Sequence, residues 1–166
     1  MFVHLHCHSH YSFLRGVASP EEIIAAAVAQ KMPAVALTDT NGLYAAVPFY
    51  KAAKDAGIKP IVGVTLDVEF RISNFEFRNS KDETRDSQST PMVLLAADME
   101  GYSKLCQLAT LRHLGTTELS KRKGSPECGE RSAKEEERPV TIEELAKHSK
   151  GVIALCPLPT RMPDAD

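Results

Sequence analysis

The sequence lacks several features that mark particular classes of protein. It contains no tryptophan, and aromatic residues make up only 6% of its 166 residues. None of its apolar runs approaches the roughly 18 residues that a membrane-spanning helix needs. Residues 1–6 show neither the basic start nor the long apolar stretch of a signal peptide. We therefore expect a cytoplasmic protein with no membrane partner.

A strong charge and paired cysteines are also missing. Lysine and arginine together number 20, and aspartate and glutamate 22, so the formal net charge is only −2. No global field therefore draws the chain to nucleic acid, and we expect any contact with DNA to be indirect. The four cysteines are widely spaced, without a Cys-x-x-Cys pair. In a cytoplasmic protein this spacing indicates free or buried thiols rather than disulfides.

Short apolar segments alternate with segments of helical spacing along the chain. This alternation predicts an α/β fold in which outer helices cover parallel strands. The predicted strands cover residues 3–8, 34–38, 58–64, 92–97 and 151–156, with an extended continuation over 65–72 that could form a hairpin. The predicted helices cover residues 20–31, 43–56, 99–112 and 142–150. Two of them begin at capping boxes, Ser-x-x-Glu at 19–22 and Thr-x-x-Glu at 141–144.

The polar stretches between these elements define the predicted domain. Charged and small residues dominate near 74–91 and 113–139, and such segments cannot bury enough apolar surface to become ordered. We therefore expect mobile loops at both places. The domain is expected to span residues 1–156, and residues 157–166, which carry three prolines, are expected to form a tail.

Histidines occupy every second position near the start of the chain, at His4, His6, His8 and His10. On a strand, residues i and i+2 project to the same face, and two neighbouring imidazoles can bind one zinc or similar ion. From the residues alone, a solvated polar face explains the pattern as well as a metal site does. Because sites in parallel sheets lie beyond the carboxyl ends of the strands, further ligands should follow other strands. The carboxyl ends of the predicted strands lie at residues 6–8, Asp39, residues 64–65, Ala97 and Cys156.

Few good ligands follow the other predicted strands. Asp39 is the one obvious acid, whereas Thr40 and Thr65 are poor ligands for a soft divalent ion. A complete metal site therefore cannot be assembled from the predicted strand ends alone.

Five segments carry a family resemblance: Phe-Val-His-Leu-His-Cys-His-Ser at 2–9, Tyr-Ser-Phe-Leu-Arg-Gly at 11–16, Pro-Ala-Val-Ala-Leu-Thr-Asp at 33–39, Gly-Leu-Tyr-Ala-Ala-Val-Pro-Phe-Tyr at 42–50 and Gly-Ile-Lys-Pro-Ile-Val-Gly at 57–63. Together they resemble the PHP (polymerase and histidinol phosphatase) domain. They are most similar to the N-terminal PHP domain of bacterial DNA polymerase III alpha subunits or of their error-prone paralogue.

The resemblance implies a distorted (β/α)7 barrel with a metal cluster at its mouth. Active members of the family bind several metal ions, often zinc or manganese, and hydrolyse phosphate esters. Some polymerase PHP domains act as 3′–5′ exonucleases, whereas others have lost the metals and serve structurally. A barrel of this kind needs about 250 residues. We therefore expect an incomplete PHP-type barrel, from a fragment, a domain or a truncated gene.

The resemblance also implies which residues would hold the metals. His6 and His8 match the first two metal ligands of the family. Arg15, Thr40 and Thr65 stand where the family has an acidic residue, a histidine and a glutamate. Three expected ligands are therefore absent from the first half of the site.

These departures indicate a degenerate metal site. The cation of Arg15 repels a metal ion, so this residue is expected to pair with Asp39 or to bind a phosphate. Asp39 could alternatively hydrogen-bond the mouth of the barrel or act as a metal ligand. We expect His6 and His8 to be residual ligands for zinc or manganese, with no metal held tightly. The mouth would also include His4, His10, Arg15, Thr40 and Thr65.

The sequence thus predicts a non-catalytic PHP module of a DNA polymerase III alpha-like protein, acting in DNA replication or error-prone repair synthesis. Its partners would be the remainder of a polymerase alpha subunit or other replication and repair proteins. The parent would transfer nucleotides, but no catalytic residue for that reaction is identified in this chain. Two alternatives stay open: a metal-dependent phosphoesterase or 3′–5′ exonuclease, and a truncated gene product without activity.

Overall fold

The computed structural model describes residues 2–70, 88–121 and 138–156. These residues form four helices and five strands, in the order α1 (Pro20–Ala29), β1 (Ala34–Leu37), α2 (Ala46–Asp55), β2 (Lys59–Phe70), β3 (Gln88–Ala96), α3 (Met99–Lys121), β4 (Val140–Thr141), α4 (Ile142–Lys147) and β5 (Val152–Leu155). Within the described part of the chain, no helix is long and apolar enough to cross a membrane.

The sheet is mixed rather than wholly parallel. Its order is β1-β2-β3-β5, with β4 beside the far end of β2. β2 runs parallel to β1 and β4, whereas β3 is antiparallel to both β2 and β5. The predicted α/β class is confirmed, but the prediction of parallel strands is wrong for β3. β2 continues for 12 residues, which provides a long edge along which β3 returns.

The first predicted strand, residues 3–8, is not a regular strand. Two backbone bonds still tie it to β1, from the Ala36 N–H to the His4 carbonyl (2.8 Å) and from the Thr38 N–H to the Cys7 carbonyl (2.9 Å). In a regular parallel ladder, successive bonds of this kind lie two residues apart on both segments. Here the donors on β1 are two residues apart, at 36 and 38, but the acceptors are three apart, at 4 and 7. The extra residue is a bulge, and it interrupts the strand.

Two apolar clusters fix the helices against the sheet. The first joins α1, α2 and β1 around Phe49, and the second joins α3 and α4 to β2 and β3 around Leu66 and Leu105. Burying a side chain of this size contributes about 1.5–3 kcal/mol. The register places the strand residues of both clusters on one face of the sheet, because Leu37 lies beside Val62, two residues before Val64. The strand ends are therefore held by helices that pack on that face.

The predicted starts of α1, α3 and α4 are confirmed, but α2 begins at Ala46 instead of residue 43, and two loop boundaries were placed too widely. Both capping boxes form, at Ser19 and at Thr141. β3 begins at Gln88 and α3 continues to Lys121, so the ends of the predicted loops 74–91 and 113–139 belong to regular elements. Gly115 does not end α3, because a single glycine costs a helix only about 1 kcal/mol. The rest of these loops and the predicted tail lie outside the described residues.

An ion pair at α4 makes stability depend on pH. The Arg138 guanidinium donates to both carboxylate oxygens of Glu144, at 2.6 and 3.1 Å, and the Thr141 N–H donates to one of them at 3.0 Å. The hydrogen bonds from Arg138 hold the pKa of Glu144 below its ordinary value. A carboxyl with a depressed pKa stabilises the fold above its unfolded pKa, and this contribution is lost as the pH falls through the folded value.

The Glu144→Gln variant is expected to lose this dependence. At pH 6 the wild type should have the larger free energy of unfolding, and its advantage should shrink as the pH falls below about 4. Urea denaturation between pH 3 and pH 6 measures the difference, with Glu143→Gln in the same turn as the control for removing one charge. A difference between wild type and Glu144→Gln that stays constant over this range would contradict the expectation.

Candidate functional site

Two chain segments meet where β1 ends, beside the middle of β2. The Thr65 N–H donates to the Asp39 carbonyl (3.0 Å), and the Asn41 N–H donates to the Thr65 carbonyl (2.9 Å). The Thr65 hydroxyl donates to the Thr38 carbonyl (2.9 Å). Residues 38–41 are thereby fixed to β2, and the irregular segment 4–8 lies along the other edge of β1.

Asp39 is the centre of a buried hydrogen-bond knot. Its side chain is only 2% exposed. One oxygen accepts from the Ser9 N–H (2.6 Å) and the Ser12 hydroxyl (2.6 Å), and the other accepts from the Ser9 hydroxyl (2.7 Å). We call these three residues the Asp39 knot. Both carboxylate oxygens are therefore engaged in tying residues 9–12 to the end of β1.

His6 and His8 come together, as their spacing suggested. Their Nε2 atoms are 3.1 Å apart, and the rings meet edge to face with centroids 4.6 Å apart. At the opposite sides of the rings, His6 Nδ1 lies 3.3 Å from the Thr38 hydroxyl and His8 Nδ1 lies 3.2 Å from the Ser12 hydroxyl. Each ring is thus fixed at Nδ1, with Nε2 turned towards its neighbour.

The surroundings of His8 favour its neutral form. Burial lowers its pKa most, the nearby His6 and Arg15 lower it further, and Asp39 acts in the opposite direction. A neutral imidazole keeps a lone pair that can bind a metal ion.

The other two histidines of the series point elsewhere. The His4 ring contacts Phe2 edge to face at 4.7 Å, and the His10 ring stacks on Tyr11 at 4.6 Å. Because the bulge interrupts the strand, the alternating positions do not share one face throughout. Their assignment to the mouth stays a prediction.

Arg15 and Thr40 show how the departures from the family pattern are accommodated. Arg15 is exposed, and the described residues offer it no ion pair, including with Asp39. The Thr40 N–H donates to the Ser12 hydroxyl (2.9 Å), while the Thr40 hydroxyl is buried without a hydrogen-bond partner. Ser12 therefore links the Asp39 knot to both His8 and Thr40.

The described residues supply two facing imidazole nitrogens, fewer than the three or four protein ligands of an ordinary zinc site. The 3.1 Å between the Nε2 atoms of His6 and His8 is less than twice a zinc–nitrogen distance of about 2.0–2.1 Å, so one ion can touch both. No group of three or more histidine, cysteine, aspartate or glutamate side chains arranged for a metal occurs among residues 2–70, 88–121 and 138–156.

A hydrogen-bonded loop beside the Asp39 knot was not anticipated from the sequence. The Gly16 N–H donates to the Ser12 carbonyl (3.1 Å), and the His10 N–H donates to the Ala18 carbonyl (2.9 Å). Leu14 lies in the left-handed region, at φ 60°, which is unusual for a branched side chain. We call residues 11–17 the apolar loop.

The apolar loop presents large side chains to solvent. Phe13 is 86% exposed, Leu14 89% and Val17 97%. The only sequence signal for this arrangement was the pair of serines at 9 and 12 followed by a glycine at 16, which marks a tight turn.

A separate groove of about 770 Å³ lies between α2 and the start of α3, lined by Tyr50, Val62, Met99 and Tyr102 among others. Ala97, predicted at the mouth, lines this groove instead. Because β3 is antiparallel to β2 and β5, its carboxyl end lies beside the amino-terminal part of β2, away from the carboxyl end of β2.

Sequence comparison finds relatives of this chain among bacterial DNA polymerases. The chain is 41% identical over 112 residues to the DNA polymerase III subunit alpha of Chlamydia trachomatis, a match that covers 68% of this chain and 9% of the relative. It is 35% identical over 156 residues to the error-prone DNA polymerase of Anaeromyxobacter sp. (strain K), covering 94% of this chain and 12% of that relative. The chain thus spans about a tenth of the length of these relatives.

A solved structure shows a similar fold. An amidohydrolase from Chromobacterium violaceum matches with a TM-score of 0.50 and 23% identity, over 72% of this chain and 36% of the other. At this identity the similarity concerns the fold alone. The PHP domain family itself matches residues 4–164, nearly the whole chain. The chain therefore belongs to the PHP domain family.

Proposed function

We propose that this chain is the PHP portion of a DNA polymerase III alpha-like protein and acts there as a structural and binding module with a degenerate metal site. It would serve DNA replication or error-prone repair synthesis. The relatives that it matches are polymerases about ten times its length. Residues 1–156 would form part of a (β/α)7 barrel, and the tail 157–166 would follow it.

The Asp39 knot is the observation that carries this proposal. The one acid at the mouth accepts three hydrogen bonds from Ser9 and Ser12, so its oxygens organise the chain instead of an ion. Thr65, which stands where the family has a glutamate, uses its hydroxyl on the Thr38 carbonyl. The mouth is thus held by the protein's own hydrogen bonds.

The apolar loop supports a binding role. Exposed apolar groups gathered on one loop mark interaction surfaces, and the Ser12 hydroxyl ties this loop to Asp39. Preorganisation lowers the entropic cost of binding. The partner would be the remainder of the polymerase alpha subunit or another replication protein, with DNA contacted only indirectly.

The Phe13→Ser variant is expected to weaken this binding at least tenfold, the effect of losing one central apolar anchor. Its melting temperature should stay within about 2 °C of wild type, because the side chain is exposed. Calorimetry with an Anaeromyxobacter error-prone polymerase that lacks its own PHP region measures the affinity. Val28→Ser, an exposed apolar position on α1, is the control. Equal affinities for wild type and Phe13→Ser would contradict the proposal.

A second candidate function is a metal-dependent phosphoesterase or 3′–5′ exonuclease, favoured by the facing Nε2 atoms of His6 and His8. It requires hydrolysis of bis(p-nitrophenyl) phosphate or of a 3′-labelled oligonucleotide in the presence of Zn²⁺ or Mn²⁺, abolished in His8→Ala. The module proposal expects no hydrolysis above the His8→Ala level. A truncated gene product would instead aggregate on purification, because an incomplete barrel exposes unpaired strand edges.

A further inference from the structure

We propose that the groove between α2 and the start of α3 is a self-association surface, which a second copy of this chain covers about a two-fold axis. The inference goes beyond the proposed function, because the surface includes neither the Asp39 knot nor the apolar loop. Three features of the groove carry it: a part of the sheet without a covering helix, exposed apolar side chains, and opposite charges on the two sides.

The groove exists because the sheet lacks a helix at this place. The parallel strands β1 and β2 are connected through α2, whereas β3 is antiparallel to β2 and needs no crossover helix. α2 and α3 leave a gap between them, and the described residues supply no other helix to fill it. Val62 on β2 and Ala96 on β3 line the gap and are only half-buried. With a volume of about 770 Å³, the groove has room for several side chains of a partner.

Large apolar side chains stand exposed on both sides of the groove. On α2, Val47 is 59% exposed and Tyr50 50%, and Met99, the first residue of α3, is 78% exposed. Contiguous exposed apolar groups mark interaction surfaces, and tyrosine and methionine are enriched at the centres of interfaces. The surface thus offers both a hollow and projecting side chains. An interface between two copies needs both, because each copy supplies what the other receives.

The two sides of the groove carry opposite charges. Lys51 and Lys54 line the α2 side, and neither has an ion-pair or hydrogen-bond partner among the described residues. Asp55 also lines this side, which therefore keeps a net charge of +1. Asp98 lines the α3 side, and one of its oxygens caps the helix by accepting from the Gly101 N–H at 2.8 Å.

This distribution of charge selects a second copy as the occupant. A two-fold axis through the groove places the α2 side of each copy against the α3 side of the other. Lys51 and Lys54 of one copy then face Asp98 of the second copy, and the same contact forms again across the axis. Any other protein would have to carry a negative charge opposite α2 and a positive charge opposite α3, an arrangement that this chain already has.

Sedimentation velocity of the purified chain over a hundredfold range of concentration measures the association. We expect monomers to give way to dimers and to no larger species, because a two-fold interface closes on itself. Met99→Ser should weaken the dimer at least tenfold, the effect of losing one central apolar anchor. Val28→Ser, an exposed apolar position on α1, is the control and should keep the wild-type dissociation constant within about threefold.

An exchange of charges tests the two-fold arrangement itself. One variant is the double substitution Lys51→Glu and Lys54→Glu, and the other is Met99→Lys, which adds a positive charge beside Asp98 and leaves that cap in place. Each variant alone should dimerise at least tenfold more weakly than wild type, because like charges meet across the axis. An equal mixture should dimerise at least tenfold more tightly than either variant alone, since opposite charges then meet on both sides. Recovery on mixing also shows that both variants are folded.

Several results would overturn the inference. These are a wild-type chain that stays monomeric over the whole range, assembly that continues beyond dimers, no gain on mixing the two charge variants, and a dimer that Met99→Ser leaves intact, which would mean that the copies join elsewhere. A monomeric wild type in which Met99→Ser weakens binding to the error-prone polymerase would assign the groove to a different partner. Phe13→Ser should leave the dimer unchanged, so the proposed function fails or survives separately.

Discussion

The Asp39→Ala variant is expected to lose about 3–5 kcal/mol of its free energy of unfolding, the largest loss for any single polar side chain described here. The substitution removes one buried acceptor group that takes three hydrogen bonds, from the Ser9 N–H and from the hydroxyls of Ser9 and Ser12. Each donor would lose its acceptor inside a buried site, since Ser9 and Ser12 are almost fully buried. Hydrogen bonds to a charged group contribute about 1.5–3 kcal/mol each, and a buried donor without a partner is unfavourable.

Urea denaturation at pH 7 measures this loss. Asp39→Asn should be less damaging than Asp39→Ala, because its amide oxygen can still accept two of the bonds and its amide nitrogen can donate to the Ser9 hydroxyl. Asp55→Ala, at an exposed position on α2, is the control and should change stability by less than about 0.5 kcal/mol. A loss below about 1 kcal/mol in Asp39→Ala would show that the knot does not hold the mouth together.

Gly16→Ala is expected to lose about 3 kcal/mol of its free energy of unfolding. A Cβ atom at this position would lie only 2.1 Å from the Ser9 carbonyl oxygen and 2.8 Å from the His8 carbonyl oxygen. Both are backbone atoms, and the Asp39 knot prevents Ser9 from moving away. The apolar loop would have to open, which would also separate Ser12 from His8.

Gly57 provides the matched control for Gly16. Gly57 has φ +71°, and no atom lies within 4 Å of where its Cβ would be. Gly57→Ala should therefore lower the free energy of unfolding by only about 1–2 kcal/mol, the cost of a left-handed backbone for a residue with a side chain. Thermal unfolding of both variants gives the comparison, and proteolysis within residues 11–17 should rise only in Gly16→Ala. Equal stability of Gly16→Ala and wild type would mean that the loop is not closely packed on Ser9.

Local sequence signals predicted the helices well. Ser19 and Thr141 each begin a helix through a capping box, because these motifs satisfy backbone donors within four residues of chain and need no tertiary partner. The buried strand β1 was found within one residue for a related reason: a short apolar run between turn signals has few alternatives.

The direction of β3 could not be predicted in this way. An apolar run such as residues 92–97 is equally consistent with parallel and antiparallel pairing, because direction is set by the neighbouring strand and the connection. The bulge in residues 4–8 likewise depends on where His4 and Cys7 meet β1. Both errors concern contacts between segments distant in sequence.

Only the part of the candidate site that depends on neighbouring residues could be predicted from the sequence. The alternation of histidines identified the His6 and His8 pair, since two positions of a nearly extended chain still bring the rings together despite the bulge. The roles of Ser9, Ser12 and Thr38 could not be foreseen, because each makes a hydrogen bond to a residue at least 27 positions away in the sequence. Serine and threonine also occur too widely in loops for their identity alone to indicate a site.

The most direct test of a mouth organised by hydrogen bonds is the metal content of the purified chain together with its melting curve before and after chelation. We expect at most one metal ion per chain, and a melting temperature that changes by less than about 2 °C when EDTA is added, because the Asp39 knot does not need an ion. Two or more ions per chain, with a fall of several degrees on chelation, would contradict this view and would show that a metal cluster holds the mouth together.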